Sequence, residues 1–287
     1  MHCMRRTGHP KSLFCQSLLG MPAIQLARLK KQVDQLVWTF TRPQDFQRGL
    51  KNLLEMYADW SYRPGEAIEP ASLLPAYHVS PLLLDQVEQQ LSRQCQEMPA
   101  ASLALADILW QNEYFEPRVL ATFILGQIPL KPAEEVTKRI KTWSVPALDK
   151  KLQEAIFSQA TLCLRREETT TWMEIINEWL SASPAASKAM GLRALVSLLE
   201  DRDFENLPIV FNLLQPLILT APSRLHGELL EVLQSLVRRS PVETTYFLRQ
   251  VLSSTSSAVS TRLIRQILPS LSPELQASLR KSLAARS

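Results

Sequence analysis

Residues 184–219 read PAASKAMGLRALVSLLEDRDFENLPIVFNLLQPLIL, and this stretch decides the fold. A proline opens an apolar helical segment, the polar residues 201–206 interrupt it, and a second apolar segment follows. The same pattern recurs 29 to about 38 residues apart, within the period of stacked helix pairs. The five units begin at Pro117, Pro146, Pro184, Pro222 and around Ser257. We therefore expect an all-α fold, a right-handed solenoid of antiparallel helix pairs.

Prolines also open the second helix of each pair. A proline in the first helical turn loses no hydrogen bond, and its fixed φ is already helical. Ser240 and Ser272 precede two of these helices as expected N-caps. The prolines in question are Pro132, Pro208, Pro241 and Pro273. The apolar side chains of the first helices recur at i, i+3, i+4 and i+7, which indicates one buried face along the stack.

Upstream of the repeats, the sequence predicts four more helices. They span residues 23–40, 43–60, 81–98 and 99–111, and the first two are expected to cap the stack. Residues 61–79 carry prolines without helical periodicity and read as a long connecting loop. We expect a flexible extension over residues 1–20, with Met1 and Met21 both open as functional starts, and one helical-repeat domain over 21–287.

Composition excludes several classes of function. The 7 glycines and the 46% hydrophobic content suit a soluble helical protein, and no long apolar run predicts a membrane span. The 4 cysteines are far apart and form no metal-ligand pattern, so we expect neither metal nor cofactor. Sequence motifs of hydrolases, nucleotide-binding proteins and zinc proteases are lacking as well. A cytoplasmic protein is the simplest expectation.

Positive charge concentrates toward the C-terminus. The net charge is +4, and residues 222–287 alone carry 9 Lys or Arg against 4 Asp or Glu, a local balance of +5. Basic residues near helix C-termini also favour the helix dipole, so a solvated face and a phosphate-contacting face both remain open.

A family resemblance begins at residues 109–121, LWQNEYFEPRVLA. An apolar-Trp-x-x-Glu turn followed by Arg-x-Leu-Ala resembles HEAT-like repeat proteins of the AlkD-like DNA alkylation repair family. The succession Trp179-Leu180, Pro184 and Leu192-Arg193-Ala194-Leu195 extends the resemblance over roughly residues 100–270. The family holds duplex DNA on the concave face of the stack by its backbone.

The resemblance implies a carboxylate near the lesion and basic phosphate contacts. Asp149 takes the position of the carboxylate, which would stabilise positive charge on the sugar. The family's tryptophan four residues earlier is replaced by Val145, which counts against catalysis. The helix dipole alone also favours an acid at Asp149. The candidate DNA-backbone contacts are Lys188, Arg193, Arg238, Arg239 and Arg265.

Tryptophans give a second set of candidates. Trp143 and Trp179 could stack on nucleotides, although aromatic side chains in helical repeats more often pack between repeats. Three functions follow as alternatives. The protein binds duplex DNA without catalysis, it is an alkylpurine DNA glycosylase, or it is a scaffold that holds a protein partner in its concave groove.

Overall fold

The computed structural model describes residues 25–61, 72–129, 133–220, 222–254 and 258–284. Across these residues the chain is helical and forms no strand, which confirms the all-α class. The α-helices, in chain order, are α1 Leu26–Val37, α2 Pro43–Tyr57, α3 Pro81–Glu97, α4 Pro99–Trp110, α5 Phe115–Gln127, α6 Ala133–Trp143, α7 Lys150–Ala155, α8 Leu162–Glu167, α9 Thr169–Ser181, α10 Ala185–Glu200, α11 Leu207–Thr220, α12 His226–Arg239, α13 Pro241–Ser254, α14 Ala258–Ile267 and α15 Pro273–Ala284.

The helices lie in two rows. The first row holds α1, α3, α5, α7 with α8, α10, α12 and α14, and each member packs on the next. The second row holds α2, α4, α6, α9, α11, α13 and α15. In this row α2 packs on α4, and α13 packs on α11 and α15. Ion pairs join the middle members, from Arg139 of α6 to Asp107 of α4 and from Lys141 of α6 to Glu178 of α9.

The core lies between the two rows and takes buried side chains from both. Its largest contributions are fully or almost fully buried side chains at helical spacing, such as Leu120 and Ile124 of α5 and Leu192 and Leu195 of α10. The predicted core positions of the first helices are confirmed, with Val196, Leu230 and a few others only partly buried. Burial of these faces is the main stabilising contribution to the stack.

Most predicted helix boundaries hold to within a few residues, but Pro146 is an exception. The prediction that a helix begins at Pro146 is wrong, because this residue lies in a turn and α7 begins at Lys150. Pro184 and Pro222 likewise stand just before helical segments rather than inside their first turns. Residues 1–20, Pro132 and Ser257 lie outside the described residues. Ser240 and Ser272 each directly precede a helix, and their carbonyls accept from the amides of Thr244 and Gln276.

A π-helical turn, Ile156–Ala160, joins α7 to α8. Such a turn widens the backbone and leaves carbonyls without their usual helical partners. The guanidinium of Arg165 supplies the missing donors, bonding to the carbonyls of Phe157 and Ser158 and to Thr161 Oγ1. No helix in the described part of the chain is long and apolar enough to cross a membrane.

Candidate functional site

Asp149 is engaged within the chain. Its Oδ1 accepts from the amides of Lys151 and Leu152 at 2.9 and 3.2 Å, so the side chain is the N-cap of α7. Its Oδ2 accepts from the amide of Leu73 at 2.9 Å and holds the segment before α3. Both carboxylate oxygens therefore accept hydrogen bonds within the chain. Asp149 caps the N-terminus of α7 and attaches the segment around Leu73 to it.

The predicted phosphate contacts are distributed over three helices of the first row. Lys188 and Arg193 lie on α10, Arg238 and Arg239 on α12, and Arg265 on α14. Only the two arginines of α12 lie side by side. Arg265 is exposed on its helix, whereas Lys188 is partly buried.

Three of these basic side chains donate hydrogen bonds within the chain: Arg238 makes one, to Ser235 Oγ at 2.8 Å, and two others make several. Arg193 donates to Gln153 Oε1 at 2.7 Å and to Glu228 Oε1 at 2.9 Å, and it is largely buried. Arg239 donates to carbonyls of Leu199 and of the loop after α10, where it satisfies the C-terminal end of that helix. Neither guanidinium is free to clamp a phosphate as the structure stands.

Trp143 and Trp179 are both buried among aromatic side chains. Trp143 stacks on Trp110 with ring centroids 4.4 Å apart, and 6% of its surface is exposed. Trp179 packs on Trp172 and Phe157 at centroid distances of 5.7 and 5.6 Å. A nucleotide base would have to displace these neighbours in order to stack.

A cleft that was not predicted from the sequence lies between α9 and α11. Its volume is about 850 Å³. Leu198 of α10 forms part of the floor, and the loop of residues 201–206 closes one end. The apolar lining residues are Met173, Leu198, Phe204, Ile209 and Leu213. Signals for it were present in the sequence, since Phe204 is the one apolar residue of that polar loop.

Charge around the cleft is negative on balance. The lining contains four carboxylates, Glu174, Asp201, Asp203 and Glu205, against the two guanidinium groups of Arg165 and Arg166. Glu174 and Glu205 are exposed, and neither side chain has a hydrogen-bond or ion-pair partner in the described structure. Arg166 reaches Asp203 only at 3.9 Å and in solvent, so it neutralises little of this charge.

Below the rim, Arg165 and Asp201 form a buried ion pair. Their N–O distance is 3.2 Å, and both side chains are about nine-tenths buried. Burial lowers the pKa of Arg165, while the nearby Asp201 carboxylate acts in the opposite direction. Together with the π-helical turn, this pair fixes the loop that closes the cleft.

A second groove lies on the other side of α11, between it and α13. Its volume is about 550 Å³, and Phe211 and Phe247 stack in it at 4.8 Å. Val242 and Tyr246 stand at its edge with 66% and 70% of their surfaces exposed. Exposed apolar side chains of this size are more informative when they adjoin an open groove than when they occur singly.

Comparison of the chain with protein-family models, with curated proteins and with solved structures gives no match. The geometry of the cleft and the distribution of charge are therefore the basis for a functional conclusion.

Proposed function

We propose that the chain is a HEAT-like solenoid that serves as a protein-interaction scaffold. The order of helix contacts supports the solenoid, because first-row helices pack on their immediate neighbours from α1 to α14. In such stacks each helix pair contacts only adjacent pairs, and the open face provides an extended binding surface. A peptide segment of a partner protein is the ligand that we assign to this surface.

The cleft between α9 and α11 carries the proposal. An opening of about 850 Å³ with five apolar lining residues is within the range of specific binding sites. Its apolar floor supplies affinity when water is displaced, and the polar rim supplies orientation. On the α11 wall, Ile209 and Leu213 are only partly buried, so a partner side chain can cover them.

Duplex DNA, which the AlkD-like resemblance implies, is less well supported. Arg193 and Arg239 already bond within the chain, and the cleft has an excess of carboxylates that repels phosphate. A glycosylase is less well supported still, because Asp149 has no free carboxylate oxygen. The scaffold requires none of these groups.

Selection from a random peptide library tests the scaffold. Immobilised full-length protein should enrich a family of peptides, and these peptides should bind at least tenfold more weakly to the double variant Ile209→Ala, Leu213→Ala. The matched control is Leu230→Ala, a partly buried leucine of α12 outside the cleft. Peptides that bind the double variant as tightly as the original protein would exclude the cleft as the binding site.

The DNA alternative has its own measurement. Fluorescence anisotropy with a labelled 20-base-pair duplex, titrated at low and at moderate salt, would detect backbone binding as a steep loss of affinity with salt. We expect weak binding or none at low salt. Tight, salt-sensitive binding that Arg238→Ala and Arg265→Ala reduce would replace the scaffold with a DNA-binding function.

A further inference from the structure

We infer that the partner segment is a basic amphipathic α-helix lying along the cleft between α9 and α11. This inference rests on the proposed scaffold function and adds the chemistry and shape of the ligand. Two features of the cleft support it: the rim carboxylates that have no partner among the described residues, and the direction in which the lining runs.

The rim selects positive charge. Glu174 projects from α9 and Glu205 from the loop after α10, so carboxylates stand at two separate edges of the cleft. Both are exposed and unpaired in the described structure, and Asp203 adds a third acidic group. Lys or Arg side chains on the flanks of a ligand would meet these carboxylates, while an acidic ligand would be repelled.

A neighbouring pocket, which shares the loop after α10 with the cleft, gives no such preference. The pocket between the C-terminal ends of α10 and α12 is lined by Arg202, Arg238 and Arg239 with a single carboxylate, Glu200. The negative charge is therefore a local property of the cleft and not of the chain, whose net charge is +4. Charge complementarity at this site accordingly favours a basic segment.

The lining of the cleft runs along a helix axis. Residues of α9 that face it are Thr169, Thr170, Met173, Glu174 and Asn177. They recur every three to four residues, so the cleft follows about two turns of α9, roughly 12 Å at 1.5 Å per residue. A partner helix parallel to α9 spans the same length with apolar residues at i, i+3 or i+4, and i+7.

An extended ligand fits less well. Peptides in the extended conformation commonly bind by adding a strand to a sheet edge, and the described part of this chain contains no strand. A helix satisfies its own backbone hydrogen bonds and requires only side-chain contacts from the protein. The apolar residues on both walls, Met173 on one and Ile209 with Leu213 on the other, are suited to such contacts.

Three synthetic 18-residue peptides test the inference. The first has Leu at i, i+3, i+4 and i+7 with Lys on its flanks, the second has Glu in place of every Lys, and the third keeps the first composition with a central Pro. Fluorescence anisotropy with the full-length protein should give binding for the Lys peptide. The Glu and Pro peptides should bind at least tenfold more weakly.

Charge reversal in the protein provides the complementary test. Glu174→Lys with Glu205→Lys should weaken the Lys peptide about tenfold and strengthen the Glu peptide. Glu231→Lys is the control and should change neither affinity, because Glu231 of α12 is exposed and its side chain has no partner among the described residues. Tyr246→Ala should also have no effect, because its groove lies beyond α11. Circular dichroism confirms that each variant is folded.

The outcomes separate this inference from the scaffold function. Equal binding of the Lys and Glu peptides, both lost in Ile209→Ala with Leu213→Ala, would overturn the basic ligand and leave the cleft as a protein-binding site. Equal binding of the Lys and Pro peptides would overturn the helical shape. Lys-peptide binding that survives the apolar double variant would overturn both the inference and the proposed function.

Discussion

Two places where helices meet, which we call seams, differ in how closely the helices approach. One is the contact of α5 with the π-helical turn, and the other is the cleft between α9 and α11. Where α5 meets the π-helical turn, a Cβ added to Gly126 would lie 1.9 Å from the carbonyl oxygen of Gln159. Between α9 and α11, by contrast, the helices leave a cleft of about 850 Å³. The closed seam belongs to the first row and the open cleft to the second. The comparison indicates that backbones pack without a gap at this point of the first row, whereas the second row leaves a surface that a ligand can reach.

Local sequence accounts for the difference. At the closed seam, Gly126 removes a side chain from α5, and Thr122 Oγ1 bonds to Gln159 Oε1 at 2.8 Å. At the open cleft, the polar loop of residues 201–206 separates α10 from α11, with Phe204 buried as its anchor. Small residues permit close approach of helix backbones, whereas the polar loop lines the open cleft and leaves one of its ends hydrophilic.

The largest expected effect is at the closed seam. Gly126→Ala should lower the free energy of unfolding by about 3 to 4 kcal/mol, because the new methyl group meets a backbone carbonyl that cannot rotate away. Urea titration measures this loss. Gly227→Ala is the matched control, since nothing lies within 4 Å of an added Cβ there. We expect this control to be neutral or slightly stabilising, and an equal loss in both variants would show that the seam is not tight.

The next effect tests the link between the two seams. Asp201 lines the cleft and also pairs with Arg165, which in turn bonds to the π-helical turn of the closed seam. Asp201→Ala should cost about 2 to 3 kcal/mol, because it leaves a buried guanidinium without its counter-charge. The melting temperature and the affinity for the selected peptides should both decrease.

Asp203→Ala is the control for that link. Asp203 is exposed, and its contact with Arg166 is 3.9 Å long, so its removal should change stability by less than about 0.5 kcal/mol. If Asp203→Ala destabilises the protein as much as Asp201→Ala does, the buried pair does not connect the two seams.

Sequence reasoning succeeded where one physical signal dominates. Helical periodicity predicted the first-row helices and their buried leucines, because burial of one face fixes the spacing of apolar residues. It failed at Pro146, where the Asp149 side chain rather than the proline determines the start of the helix. A proline can precede a helix as readily as occupy its first turn, so proline alone does not locate the boundary.

The candidate site could be predicted much less well. The cleft exists because α9 and α11 are separated in space, and no sequence pattern within either helix predicts that separation. The partners of Arg193 and Arg239 are also remote in sequence, 35 or more residues away. Their basic character indicated phosphate binding, yet the structure satisfies both guanidinium groups within the chain.

Asp149 offers a smaller effect that separates a cap from a catalytic acid. Asp149→Ala should lower the free energy of unfolding by about 1.5 kcal/mol, because α7 loses its N-cap and Leu73 loses its acceptor. Asp149→Asn keeps an acceptor oxygen, so it should lower the free energy of unfolding by only a few tenths of a kcal/mol. Equal losses in the two variants would assign the effect to charge instead. A release of alkylated purines from duplex DNA that Asn abolishes would restore the catalytic role.

The smallest expected effect concerns Glu88, which lines a small recess between α3 and α5 of the first row. Burial, reinforced by the charge of Asp85, raises the pKa of Glu88 from 4.5 to about 7. A carboxyl with a raised pKa in the folded state stabilises the fold below about pH 4.5, and this contribution is lost as the pH rises to about 7. The protein should therefore lose stability across that interval.

Glu88→Gln replaces the ionisable carboxyl with a neutral amide. It therefore tests whether the recess keeps this side chain out of water, as the close packing at Gly126 does elsewhere in the first row. The variant should be more stable than the original protein by about 0.5 to 1 kcal/mol at pH 8, since water screens the partly exposed side chain, and the two should converge at pH 4. Urea titrations at both pH values measure the difference, with Glu231→Gln as the exposed control. A difference that is the same at pH 4 and pH 8 would mean that Glu88 is well solvated, and that the first row opens to water at α3.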